Sequence, residues 1–232
     1  MARRNKLLKF TELLTFDNVY ENYDPRNPLL VANHDTSVEM SGKWHSEHFK
    51  NENPITLELA CGRGEYSIAL AERYPDRNFI GVDIKGARIW KGAKIAIESN
   101  LNNVAFLRTK IEFCHLFFNE NEIDEIWITF PDPFLKKGKV NRRLTSPNYL
   151  GVYKQFLKPK SPIHLKTDSD VMYFHTKEVI KEEGHITKLD TYDVYGDEEM
   201  LHPDLDIKTY YENANISNAD SIKYLQFNLK ES

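Results

Sequence analysis

From residue 55 onward the chain alternates between short apolar runs and stretches with helical spacing, and no other feature restricts its fold so much. "ITLELA" (55–60) ends in a glycine turn and is followed by "EYSIALAERY" (65–74), whose apolar residues recur at helical intervals. "NFIGVD" (78–83) precedes the amphipathic "ARIWKGAKIAIESN" (87–100), and "VAFLR" (104–108) and "EIWITF" (125–130) supply a third and a fourth strand. "SPNYLGVYKQFL" (146–157) reads as a helix that opens at Ser146 with Pro147 in its first turn. "PIHLKT" (162–167) is a fifth strand before a helix through Lys181, and "HITKLDTY" (185–192) and "SIKYLQFNL" (221–229) follow with no helix-length segment between them. Such alternation needs crossovers that place helices on both faces of a parallel sheet, whereas two consecutive strands can close antiparallel. The expected fold class is α/β: a doubly wound, mostly parallel seven-stranded sheet with an antiparallel strand pair at the C-terminal end. Residues 51–232 hold this domain. Residues 1–50 mix basic residues (Arg3, Arg4, Lys6, Lys9) with aromatics and lack sustained periodicity; an arm, a short helix and an approach segment are expected there.

Composition narrows the class. At 232 residues, 41% hydrophobic and 28% charged, the chain can bury a core and stay in solution. The net charge of −4 means that any nucleic-acid surface must be local. Two cysteines, Cys61 and Cys114, do not make a disulfide framework and suit a reducing cytoplasm. No membrane span is expected, because no apolar run approaches ~20 residues. His45 and His48 are spaced i, i+3 with neither cysteine near in sequence, so no metal site is expected. A monomer and a weak homodimer are both compatible with the sequence.

The turn in "LELACGRGEY" (57–66) carries Gly62 and Gly64 between a strand and a helix, where glycine allows a tight turn and close approach of a ligand. The dinucleotide fingerprint wants a third glycine where Ser67 stands, and it lacks an acid before the turn, where this chain has Glu58. Asp83, 21 residues after Gly62, ends the second strand, a spacing suited to gripping ribose hydroxyls. With no pyrophosphate fingerprint, S-adenosylmethionine is the expected cofactor, and Glu58 is a candidate partner for its ammonium.

"TFPDPFLKKGKVNRRL" (129–144) sits where the fourth strand ends. In open α/β sheets ligands bind beyond the carboxyl ends of the strands, so Asp132 belongs at that rim. Pro131 fixes its own φ and Pro133 pushes Asp132 towards extended geometry, so the carboxylate is held stiffly. Phe134 offers a ring for stacking, and Lys136, Lys137, Lys139, Arg142 and Arg143 form a local phosphate-binding candidate.

"LELACGRGEY", "NFIGVDIKGAR", "PDPFLKKGKVNRRL", "HLKTD" and "TYYE" (209–212) stand in the order and spacing of the bacterial tRNA (guanine-N7-)-methyltransferase family, which the chain resembles over roughly residues 40–230. The resemblance implies a Rossmann-like class I methyltransferase fold, S-adenosylmethionine as donor, and a guanine at position 46 in the variable region of tRNA as acceptor. It implies that Glu58, Asp83 and Asp132 serve the cofactor, that Asp132 is also the active-site acid, and that Lys136, Asp168, Thr209, Tyr210, Tyr211 and Glu212 serve the tRNA substrate. The chain departs from the pattern at Lys110, near the place where the family often has an acid or amide against adenine. Phe134 stands for a usual Trp, "GKV" (138–140) and Asn141 interrupt the basic loop, and Cys61 replaces a glycine.

Asp168 could instead cap the following helix, although Ser169 or Asp170 could do so as well. Two other readings remain: a methyltransferase acting on another RNA base or a small-molecule amine, and a catalytically decayed RNA-binding module. Trp90 and Trp127 are read as packing residues, and Trp44 as either capping the sheet or leaning over the cofactor.

Overall fold

The structure is a computed structural model that describes residues 2–22, 24–196, 200–213 and 221–231, with the side chains of 2–6 and 211 outside that description. The chain opens with α1 (Ala2–Leu13), then β1 (Val19–Glu21), β2 (Leu30–Ala32), β3 (Thr36–Val38) and a π-helical turn at Trp44–Phe49. The alternating part runs β4 (Ile55–Leu59), α2 (Glu65–Arg73), β5 (Asn78–Asp83), α3 (Gly86–Glu98), β6 (Val104–Arg108) and β7 (Glu125–Thr129). It continues through α4 (Pro147–Tyr153), β8 (Pro162–Thr167), α5 (Asp170–Glu183), β9 (Ile186–Thr191), the short α6 (Tyr210–Asn213) and β10 (Lys223–Asn228).

The ten strands of the described residues form one sheet in the order β3-β2-β1-β6-β5-β4-β7-β8-β10-β9. The centre, from β1 to β8, is parallel, and β10 pairs antiparallel with both β8 and β9, as expected for the C-terminal end. The expected count of seven is too low, because residues 19–38 add three strands at the other edge. Val19–Glu21 pairs parallel with β6, and Glu21 is clamped by Arg108 across that register at 2.9 Å. Three-residue strands carry too little alternation to be recognised in a window, so pairing with a neighbour decides them.

β4, β5 and β7 are buried at every residue, the signature of parallel strands covered on both faces. Successive side chains point to opposite faces, so Ile80, Val82, Ile126 and Ile128 enter one core and Phe79, Phe106 and Trp127 the other. α3 faces the second core with Ile89, Ala93 and Ala96, one residue per turn. Trp44 is fully buried and its indole N–H donates to the Phe117 carbonyl at 2.8 Å, so it packs in the core and does not reach the cofactor end. Trp127 is buried as expected; Trp90 is only half-buried, held by Glu12 at 2.9 Å. His45 bonds the Asn53 carbonyl and His48 the Tyr20 hydroxyl, both at 2.9 Å. No helix among the described residues is long and apolar enough to cross a membrane.

Candidate active site

The carboxyl ends of β4, β5, β6, β7 and β8 meet around a cavity of about 590 Å³. Glu58, Gly62, Asp83, Asp132 and Asp168, separated by up to 110 positions in the chain, all line it.

The glycine turn is built for close approach. Gly62 has φ 57°, and a Cβ there would meet only the Ala60 carbonyl, at 3.9 Å, so the missing side chain leaves open space. Asp83 ties this turn to β5: its Oδ2 accepts from the Gly62 N–H at 3.0 Å and its Oδ1 from the Lys85 N–H at 2.7 Å. Glu58 sits behind them, 3% exposed, accepting from the Ser67 N–H (2.9 Å), the Ser67 hydroxyl (2.5 Å) and the Thr129 hydroxyl (3.1 Å). Burial dominates those bonds and pushes its carboxyl up to about 7. Gly64, expected at the cofactor, is not in the cavity wall. A Cβ there would lie 2.4 Å from the Phe106 ring, so its small size serves helix–sheet packing behind the turn.

The proline-flanked acid is where a site would want it. Asp132 is exposed on the cavity side of the rim, and its Oδ1 accepts from the Phe134 N–H at 3.2 Å. Three residues of the wall, Ala60, Phe130 and Phe134, carry left-handed backbone with φ 59°, 48° and 42°. A residue with a Cβ costs about 1–2 kcal/mol in that region, so each of the three carries local strain at the rim.

The basic loop divides in two. Lys136, Lys137, Lys139 and Arg142 are exposed, on or beside a 3₁₀ turn at Lys137–Arg142, and Arg142 reaches the cavity wall. Arg143 does not fit the expected phosphate contact: it is 7% exposed, and its guanidinium donates to the carbonyls of Pro133 (2.8 Å) and Phe134 (3.3 Å). It clamps the turn that carries Asp132.

At the end of β8, Ser169 takes the cap of α5 by accepting from the Met172 N–H at 3.3 Å, which leaves Asp168 in the cavity wall. The segment Thr209–Glu212 arrives from a loop fixed at several points. Asp204 is gripped by Arg73 (2.9 Å) and Tyr74 (2.8 Å), and the ammonium of Lys166 binds the carbonyls of Leu205 and Ile207, each at 2.9 Å. Thr209 lines the cavity, and Tyr210 packs under the Arg63 guanidinium at 3.9 Å from its ring centre. Glu212, expected to meet substrate, is spent inside: it pairs with Lys166 at 3.1 Å and accepts from the Tyr195 hydroxyl. The side chain of Tyr211 lies outside the described residues. Sequence reasoning missed Lys166, which has no exposed surface; a lysine inside an apolar run "PIHLKT" was the available signal.

Away from the cavity, Glu125, His164 and His202 bring potential ligand atoms within 4.8 Å of one another. Glu125 already accepts from Thr56 (2.9 Å), Trp127 (3.2 Å) and Arg77, and His164 stacks on Trp127 and bonds Tyr224 at 2.8 Å.

Comparisons with known proteins agree with this architecture. The family model described as "Putative methyltransferase" matches residues 52–225. A tRNA (guanine-N(7)-)-methyltransferase of Christiangramia forsetii is 45% identical over 99% of this chain and 100% of its own length. Its counterpart in Bacteroides fragilis is 46% identical over 98% of this chain and 87% of its own. Among solved structures, the 16S rRNA methyltransferase KamB superposes with a TM-score of 0.60 at 14% identity, covering 84% of this chain and 97% of that one. A 16S rRNA (adenine(1408)-N(1))-methyltransferase from Catenulisporales acidiphilia, solved with the cosubstrate SAM, gives 0.55 at 12% identity over 84% and 94%. These two share the fold. With close relatives matched over nearly its whole length, the chain belongs to the tRNA (guanine-N(7)-)-methyltransferase family.

Proposed function

We propose that this chain transfers the methyl group of S-adenosylmethionine to N7 of a guanine in tRNA, at position 46 of the variable region, in the cytoplasm. One observation carries the reading: the glycine turn with its two acids and the proline-locked Asp132 open into the same cavity of about 590 Å³. The wall fits that donor. The open space at Gly62 admits its amino-acid portion, Asp83 has lone pairs left for ribose hydroxyls, and Glu58 is a buried carboxyl that an ammonium would ionise. When bound, S-adenosylmethionine supplies a methyl group carried on a sulfonium.

Guanine N7 has a free lone pair, so no residue has to remove a proton before transfer. The chain's task is orientation and charge. Asp132 accepts hydrogen bonds from the N1–H and 2-amino edge of the guanine, with Asp168 as a second acceptor on the same edge. As positive charge grows on the purine those N–H groups become stronger donors, so the bonds tighten towards the transition state. Phe134 stacks on the base, and Thr209 with Tyr210 closes the pocket from the late loop. Lys136, Lys137, Lys139 and Arg142 hold phosphates. Incubating unmodified tRNA with labelled S-adenosylmethionine and digesting the product tests the reading. 7-Methylguanosine at position 46 is expected, and label on an exocyclic amine, or none, would overturn it.

The raised carboxyl of Glu58 makes donor binding pH-dependent. Below about pH 7 the acid is protonated and cannot pair with an ammonium. Affinity is therefore expected to fall as pH drops through 7, approaching about tenfold per unit, and to level off above it until the donor's own α-ammonium titrates at about 8. Calorimetry near pH 7 should show proton release on binding, and Glu58→Gln should abolish both effects.

The divided loop gives a contrast. Arg142→Ala should flatten the salt dependence of tRNA affinity by about one phosphate contact, a slope change of roughly 0.7–0.9. Arg143→Ala should leave that slope alone and lower kcat, because it frees the turn beneath Asp132. Equal slope changes in the two variants would return Arg143 to the phosphates.

A further inference from the structure

The cavity has a second cationic edge. Lys85 follows Asp83 at the end of β5 and Lys110 follows β6; both are exposed and both line the cavity. In the sheet order β4 lies between β5 and β7, so the ends of β5 and β6 lie across the glycine turn from the end of β7, although beyond Lys110 the chain turns towards α4, where Glu112 meets Tyr149 at 3.5 Å. Strands are ~4.8 Å apart, which puts the ends of β5 and β6 roughly 10–15 Å from the end of β7.

Neighbouring cations on the same elements are neutralised. Lys91 and Lys94 of α3 pair with Glu65 and Glu12, and Arg108 of β6 with Glu21. Lys85 and Lys110 have no carboxylate partner among the described residues; Lys110 reaches only the Phe113 ring, 5.5 Å from its centre. The donor does not account for them. It carries a sulfonium and an ammonium against one carboxylate, so two unpaired ammonium groups in the wall are repulsive to it unless an anion also arrives. The polyanion in this reaction is the acceptor.

We propose that Lys85 and Lys110 form a second phosphate-binding lip, on which the tRNA strand flanking the target guanine lies, so that the RNA spans the cavity from the 136–142 loop to the β5–β6 side. The inference rests on the tRNA reading above and assigns Lys110, which stands where an acid or amide was expected. A guanine pocket between two basic lips holds the backbone on both sides of one extruded base, which fixes N7 without reading the neighbouring sequence.

The test measures affinity for unmodified tRNA across a sodium chloride series, for the full chain and for Lys85→Gln/Lys110→Gln, with calorimetric titration of S-adenosylmethionine in parallel. Loss of two contacts should flatten the slope of log affinity against log salt by about 1.4–1.8, with donor affinity unchanged. Lys110→Arg, which keeps the charge, should keep the slope. If the double variant does not fold, the single variants read the same effect at half size. An unchanged slope in the variant, or weakened donor binding with an unchanged slope, would overturn the second lip and assign Lys110 to the donor or to solvent. Absence of salt-dependent tRNA binding by the unaltered chain is a separate result: it would overturn the tRNA reading, and the lip with it.

Discussion

Asp132→Ala is expected to reduce single-turnover methyl transfer to tRNA by about 10²–10³-fold while S-adenosylmethionine affinity stays within a few-fold. The side chain is exposed at the rim, and its one internal bond is to the Phe134 N–H, so its removal leaves no buried group unsatisfied and the fold intact. The glycine turn, Glu58 and Asp83 are untouched by the change, which is why donor affinity holds. Asp132→Asn separates two contributions. It retains an acceptor at the same place but removes the charge, so it should recover part of the rate if orientation matters and little if charge offset dominates. Normal turnover by Asp132→Ala, read as 7-methylguanosine formed, would remove Asp132 from the mechanism, whereas normal turnover by Asp132→Asn would remove only its charge.

Lys166→Met should lower the melting temperature by roughly 6–12 °C, from a cost of about 3 kcal/mol at 2–4 °C each in a chain of this size. The ammonium is fully buried and holds two backbone carbonyls and the Glu212 carboxylate. Burial lowers its pKa even though Glu212 opposes the shift. Removing the lysine strands a carboxylate whose side chain is 6% exposed. It also unseats the loop that delivers Thr209 and Tyr210 to the cavity. KM for tRNA should therefore rise together with the loss of stability, and donor affinity should fall by a smaller factor, because Tyr210 of that loop packs on Arg63 of the glycine turn and binds Glu65. Lys166→Met/Glu212→Leu should regain part of the melting temperature, since a pair removed together leaves no lone charge. If the single and double variants melt alike, the two residues are not coupled. Unaltered KM in a destabilised single variant would confine Lys166 to the core.

The central fold was legible because short strands rich in apolar residues alternate with helical spacing: β5, β6 and β8 lie where the sequence places them, and β4, β7, β9 and β10 within two residues at either end. The three strands before residue 40 were not legible, because β1 depends on its partner β6 and on the Glu21–Arg108 pair, neither of which is local. In the site, acids at strand ends were readable from position alone. Which cations are solvated was not. Arg142 and Arg143 are adjacent and identical in type, yet one is exposed and the other is spent on two carbonyls ten and nine residues earlier. Gly62 and Gly64 divide in the same way: one leaves room for a ligand and the other for Phe106. The pairing of Glu212 with Lys166 was not legible, because the lysine stands 46 positions away inside a strand.

β10 lies between β8 and β9, yet it is the last of the three in the chain. During synthesis β9 emerges with no neighbour to join, and β8 keeps an open edge, until residue 228 has left the ribosome. The nascent sheet therefore stays unsealed on this side until β10 has emerged, and a chain cut before Lys223 would lose β10 and leave β9 with no strand to pair with.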